Sequence, residues 1–116
     1  MKQERKIVLT RQDIESLLSI RTLLQEDPGQ HITIIALAAQ TGMNRFKLTS
    51  GFKKFFNQTI HQYQIMLRME LAERLLLTSD KPMKEIAAIC GYNRTENFTH
   101  AFKKYYGRVP SSLKST

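Results

Sequence analysis

The sequence predicts an all-α chain: two helix-turn-helix lobes joined by a long connecting helix, with an extra N-terminal helix. Three observations carry this. The chain repeats itself: Phe52-Lys53-Lys54-Phe55-Phe56 returns as Phe102-Lys103-Lys104-Tyr105-Tyr106, and Leu37 through Arg45 lines up with Ile86 through Arg94. Self-similarity in so short a chain points to paired supersecondary units. Apolar residues recur at helical spacing, and no segment alternates with the period of a strand. Capping residues, Gly and Pro fall between the periodic segments.

The elements follow in order. Met1 to Leu9 has no clear period, and residues 1–30 read as a linker and an N-terminal packing helix. That helix opens at a Thr10/Asp13 capping box, carries Ile14, Leu17, Leu18 and Leu24, and stops at Pro28-Gly29. Residues 31–116 read as the double helix-turn-helix. A short helix over 33–40 has Thr33 as N-cap and Ile34, Leu37 and Ala38 inward, and Gly42 takes a positive φ after it. Asn44 caps a helix to about Phe56 with Leu48, Phe52 and Phe55 on its apolar side. Thr59 and Gln62 open the longest helix, to about Leu77, with Tyr63, Leu67, Leu71 and Leu75 as its buried stripe.

The second lobe repeats this grammar. Pro82 suits a first helical turn, Ile86, Ala87 and Ile89 face inward, and Gly91 closes. Asn93 and Glu96 form the cap of a helix to about Tyr106, ended by Gly107 and Pro110, with Ser111 capping a last turn. The units match at a shift of 49 in their first halves and 50 in their Phe-Lys-Lys segments. One extra residue is therefore expected near Thr95-Glu96-Asn97.

Composition bounds the function. The chain has 116 residues, 41% of them hydrophobic, which is enough for a core in one domain or two small lobes. Lys and Arg number 18 against 10 for Asp and Glu, giving a net charge of +8. That excess favours a polyanionic partner, nucleic acid ahead of a membrane surface. The lone Cys90 excludes an internal disulfide and a Cys-based zinc finger and suits a buried position. No apolar run spans a bilayer, no signal core opens the chain, and a cytoplasmic setting is expected. His31, His61 and His100 lie far apart, and no nucleophile or metal motif appears. No enzyme activity, metal or cofactor is expected.

The second helix of each unit carries the chemistry. On the first, anchoring through Leu48 and Phe52 turns Arg45, Phe46, Thr49, Ser50 and Lys53 outward. Arg45 can read a guanine edge or bind phosphate, Phe46 can pack on sugar or a thymine methyl, and Thr49 and Ser50 can donate to bases or phosphates. On the second, Phe98 and Phe102 anchor, leaving Arg94, Thr95, Glu96, Asn97, Thr99, His100 and Lys103. Asn97 can pair with adenine, Glu96 can accept from cytosine or cap the helix, and His100 can donate to a base edge or phosphate. Lys53, Lys54, Lys103 and Lys104 can neutralise phosphates without carrying sequence information. Neighbours in such a pair diverge by roughly 100°, so both members are not expected to touch one DNA.

These residues together resemble the DNA-binding domain of the AraC/XylS family of bacterial transcription regulators. The likeness rests on Ile86-Ala87, Gly91-Tyr92, Phe98, Ala101 through Gly107 and Pro110-Ser111, and on Leu37-Ala38, Gly42-Met43, Leu48 and Phe52-Lys53. Leu67-Arg68-Met69-Glu70, Ala72 and Leu75-Leu76 on the connecting helix share it. The resemblance implies two recognition helices in successive major grooves of one double-stranded DNA face, in an activator that contacts RNA polymerase. It also implies that an effector or dimerisation domain is absent from these 116 residues. The competing reading is a helical module that binds protein through the same fold. Steep weakening of DNA binding with salt discriminates the two.

Overall fold

The computed structural model describes residues 7–114. The linker expected at the start of the 1–30 segment falls partly on residues 1–6, which lie outside the described residues. Among the described residues there are six α-helices and one 3₁₀ turn: α1 (Arg11–Glu26), α2 (Ile34–Thr41), α3 (Arg45–Phe56), α4 (Ile60–Thr78), α5 (Met83–Ile89), α6 (Thr95–Tyr106) and the turn Pro110–Ser112. They divide into two compact units. Of the described residues, the first takes in 7–26 and Ile32–Tyr63; the second takes in Asp27–His31 and 64–114.

In the first unit, each helix begins where a side chain can satisfy its free amides. The Thr10 amide donates to Asp13 Oδ2 at 2.9 Å, and the Asp13 amide donates back to Thr10 Oγ1 at 3.1 Å. Thr33 Oγ1 accepts from the Ala36 amide at 3.1 Å, and Asn44 Oδ1 from the Lys47 amide at 2.8 Å. Thr59 and Gln62 cap α4 reciprocally at 2.9 and 3.0 Å. Such caps contribute roughly 1 kcal/mol each. Leu17, Ile20 and Leu24 of α1, Leu37 of α2, Leu48 and Phe52 of α3 and Ile60 and Tyr63 of α4 are buried. Gly51 lets α3 approach the N-terminal segment closely: a Cβ there would sit 3.0 Å from Leu9.

The second unit is built on Met69, Ala72, Leu76, Ile86, Ala87, Cys90, Phe98 and Phe102, all buried, with Leu75, Tyr92, Tyr106 and Leu113 packed against them. The Asp27–His31 segment joins it through two devices. Arg68 donates from Nε to the Pro28 carbonyl at 2.9 Å and from Nη2 to the Gln30 carbonyl at 3.0 Å. Its guanidinium also lies 5.9 Å from the Tyr92 ring centroid. Gly29 meets the turn after α5 backbone to backbone: a Cβ at Gly29 would fall 2.2 Å from the Ile89 carbonyl oxygen.

Several sequence expectations differ in detail. Ile89 is 38% exposed, and Cys90 is buried in its place. Positions 86, 87 and 90 share one helical face, and position 89 lies off it. Phe55 is 45% exposed; Phe56 is the ring that packs on Phe52, at 4.6 Å between centroids, and lies under Arg21 at 4.9 Å. Periodicity gives a side chain's direction but not where neighbouring elements stop. On α4, Leu67, Leu71 and Leu75 are only half-buried, whereas Met69, Ala72 and Leu76 are buried. A spacing of four drifts about 40° per step, so spacings of three and four must alternate to hold one face.

Asn93 does not cap α6. Arg94 is the N-cap residue, and no side-chain hydrogen bond caps that end. The extra residue lies in the turn before α6, so the helix itself is regular from Thr95. Val109, not Ser111, precedes the final turn as its cap residue.

Burial pushes the Cys90 thiol from 9.0 up to about 11, against the pull of the Arg68 and Arg74 charges. The folded state therefore holds this proton more tightly than the unfolded chain does. Its stabilising share is intact below pH 9 and is lost as pH rises toward 11, by about 2 kcal/mol. Urea unfolding at pH 8 and 10.5, with Cys90→Ala as reference, checks this; equal pH dependence in both proteins refutes it.

Candidate nucleic-acid interface

α3 and α6 each have twelve residues and correspond at a constant offset of 50, from Arg45/Thr95 to Phe56/Tyr106. Both end at a residue with positive φ, Asn57 at 61° and Gly107 at 77°. In each, the amide of that residue donates to the fourth carbonyl back, that of Lys53 or Lys103. The aromatic scaffold repeats as well. Phe52–Phe56 centroids lie 4.6 Å apart and Phe102–Tyr106 centroids 4.7 Å apart. Phe55 meets Phe56, and Tyr105 meets Tyr106, edge-on at 85° in both lobes. The last ring of α6 is held differently: burial and the hydroxyl's hydrogen bond with Glu73 raise the Tyr106 pKa.

Helical spacing carries the remaining positions away from this aromatic scaffold. Arg45, Phe46, Thr49 and Lys53 of α3 are exposed, and Ser50 is half-buried. On the second lobe, Arg94, Glu96, Asn97, His100 and Lys103 are exposed, while Thr95 and Thr99 are half-buried. None of these twelve residues is fully buried. Arg94, however, stands just before α6 rather than on it.

Two side chains are already engaged within the protein. The Thr49 hydroxyl donates back to the Arg45 carbonyl at 2.9 Å and lies 3.3 Å from that of Phe46. In this geometry its proton points to the helix backbone rather than outward. Lys54 donates to the Ile7 carbonyl at 3.3 Å, which leaves Lys53 as the outward lysine of that pair.

Sequence reasoning passed over two residues here. Lys47 occupies the α3 position that Asn97 holds on α6, and its ammonium pairs with Asp13 of α1. That hydrogen bond, with one from the Thr10 backbone, pulls the Asp13 pKa below the ordinary carboxylate value. Asn57, one helical turn beyond Lys53, is exposed at a left-handed φ. Its signal was legible, because Asn is among the few residues besides Gly that adopt αL readily.

Paired helices of this kind, with a polar outer row seated on a buried aromatic ladder, define a double helix-turn-helix module. A helix-turn-helix domain family model matches residues 37–116, and the chain belongs to the AraC-type helix-turn-helix DNA-binding domains of transcription regulators. It is 34% identical over 93 residues to the raffinose operon transcriptional regulatory protein RafR of Pediococcus pentosaceus, covering 80% of this chain and 34% of RafR. The C-terminal domain of AraT, a response regulator from Geobacillus stearothermophilus, superposes with a TM-score of 0.81 at 27% identity, covering 85% of this chain and 83% of that one. The DNA-binding domain of the global transcriptional factor AdpA, solved with a target DNA, gives 0.78 at 26% identity, covering 84% and 87%. This chain spans 39%, 27% and 26% of the length of three other regulators it matches. No helix among the described residues is long and apolar enough to cross a membrane.

Proposed function

We propose that this chain reads a specific double-stranded DNA sequence for a bacterial transcription activator, with α3 and α6 in successive major grooves. The observation that carries the proposal is the residue-for-residue match of the two helices: their aromatic rings repeat, while Arg45, Phe46 and Ser50 of the outward row correspond to Thr95, Glu96 and His100, and only Thr49/Thr99 and Lys53/Lys103 are alike. A shared scaffold with divergent outer chemistry is what two reading heads for two different half-sites require. The excess of 18 basic over 10 acidic residues supplies the sequence-independent grip.

The assigned readers are Arg45, Phe46, Thr49, Ser50 and Lys53 in the first lobe, and Arg94, Thr95, Glu96, Asn97, Thr99, His100 and Lys103 in the second. Residues 1–30 serve as linker and packing helix to the 31–116 module. The longer relatives support an effector or dimerisation domain elsewhere in the full regulator, which would work in the bacterial cytoplasm and contact RNA polymerase.

Selection of bound sites from random DNA by the purified chain tests the reading. A non-palindromic site of about two helical turns is expected, because the lobes are chemically unequal. Arg45→Ala and Asn97→Ala should each relax preference at one base pair, by about 1–3 kcal/mol. Lys53→Ala should weaken all sequences alike and reduce the salt slope by about 1. If none of the three changes affinity for the selected site, the assigned face is wrong.

A further inference from the structure

The outward chemistry of α3 is less polar than its sequence suggests. Phe46 is a large apolar side chain left 39% exposed on the outer row. Thr49, three residues on, is its neighbour on the same helical face. With the Thr49 hydroxyl turned back onto the Arg45 and Phe46 carbonyls at 2.9 and 3.3 Å, the outward group at that position is its methyl. A phenyl ring and a methyl are therefore placed three residues apart on one helical face among the proposed readers. The matching position to Phe46 on α6 is the carboxylate of Glu96, so the second lobe has no such patch.

In a major groove, the apolar feature a base pair offers is the C5-methyl of thymine. We propose that Phe46 and the Thr49 methyl form a methyl-reading patch, so that the first lobe selects thymine by its methyl group while the second selects bases by hydrogen bonds. The inference rests on the DNA-reading function proposed above. It names Thr49 as a specificity residue through its methyl rather than its hydroxyl.

The test replaces single thymines of the selected site by deoxyuridine, which keeps the pairing edge and removes only the methyl. The half contacted by α3 is identified as the half in which Arg45→Ala relaxes preference. Within it, deoxyuridine at one or two thymines should weaken binding by about four-fold each, the effect of one buried carbon group. Thr49→Ser, which keeps the hydroxyl and loses the methyl, should become indifferent to deoxyuridine at its thymine. Phe46→Ala should become indifferent at the other. Thr49→Val, which keeps a methyl and loses the hydroxyl, should retain the sensitivity.

Specific binding that tolerates deoxyuridine at every thymine of that half overturns this inference and leaves the DNA-reading function standing. Thr49→Ser behaving as the parent while Thr49→Val loses selectivity also overturns it, because the hydroxyl would then be the reader. Failure to select any preferred site overturns both.

Discussion

Gly91→Ala is expected to destabilise the second unit by about 3 kcal/mol or more, enough to leave much of it unfolded at 37 °C. Two costs add at this position. The backbone has φ +94°, which an L side chain rarely adopts, and a Cβ would lie 2.6 Å from the Gly29 carbonyl oxygen. That neighbour is backbone, so relief requires moving the Asp27–His31 segment, which Arg68 holds at the Pro28 and Gln30 carbonyls. Gly107 and Gly42 provide the control. They have φ +77° and +74°, but a Cβ there would meet nothing within 4 Å. Ala at either should cost only about 1 kcal/mol, the conformational part alone. Urea denaturation followed by circular dichroism separates the two costs, and equal losses at positions 42, 91 and 107 would show that the clash with Gly29 is not real.

Phe102→Ala should remove about 3–5 kcal/mol. The ring is fully buried and touches two others, Phe98 at 5.9 Å and Tyr106 at 4.7 Å between centroids. Truncation therefore removes transfer energy and leaves a cavity whose walls are helices α4 to α6, a packed cluster that cannot simply close. Tyr105, one helical step earlier than Tyr106 and 45% exposed, should cost under half as much. DNA affinity should fall with Phe102→Ala because α6 loses its seat, although residue 102 never faces solvent. Retained melting temperature in this variant would contradict the assigned core.

Much of this was readable from local chemistry. Thr10 with Asp13, Thr33, Asn44 and Thr59 with Gln62 mark helix starts because a side-chain oxygen must meet the first amides, and all four caps form. Gly42, Gly91 and Gly107 mark turns because only glycine takes those φ values cheaply. The burial of Leu48, Phe52, Phe98 and Phe102 followed from helical period alone. With the repeat, these local rules determined the all-α class, the two lobes and the row of outward residues.

Tertiary structure decided what depends on distant partners. Asn93 looked like a cap, yet the chain spends the extra residue in the turn after Gly91 and starts α6 from Arg94. Pro28-Gly29 looked like a simple helix stop, and only the fold shows Gly29 pressed against the Gly91 turn. Lys47 carries no signal of its own in the sequence, and only the fold sets Asp13 of α1 beside it. Thr49 reads in the sequence as a hydrogen-bond donor toward a partner, and the fold turns its hydroxyl onto the Arg45 carbonyl. The division has one physical reason. Periodicity and capping are properties of neighbours along the chain, so composition and spacing reveal them. Close approach of backbones, ion pairing between helices and the use of a single hydroxyl proton arise only once the chain has closed on itself.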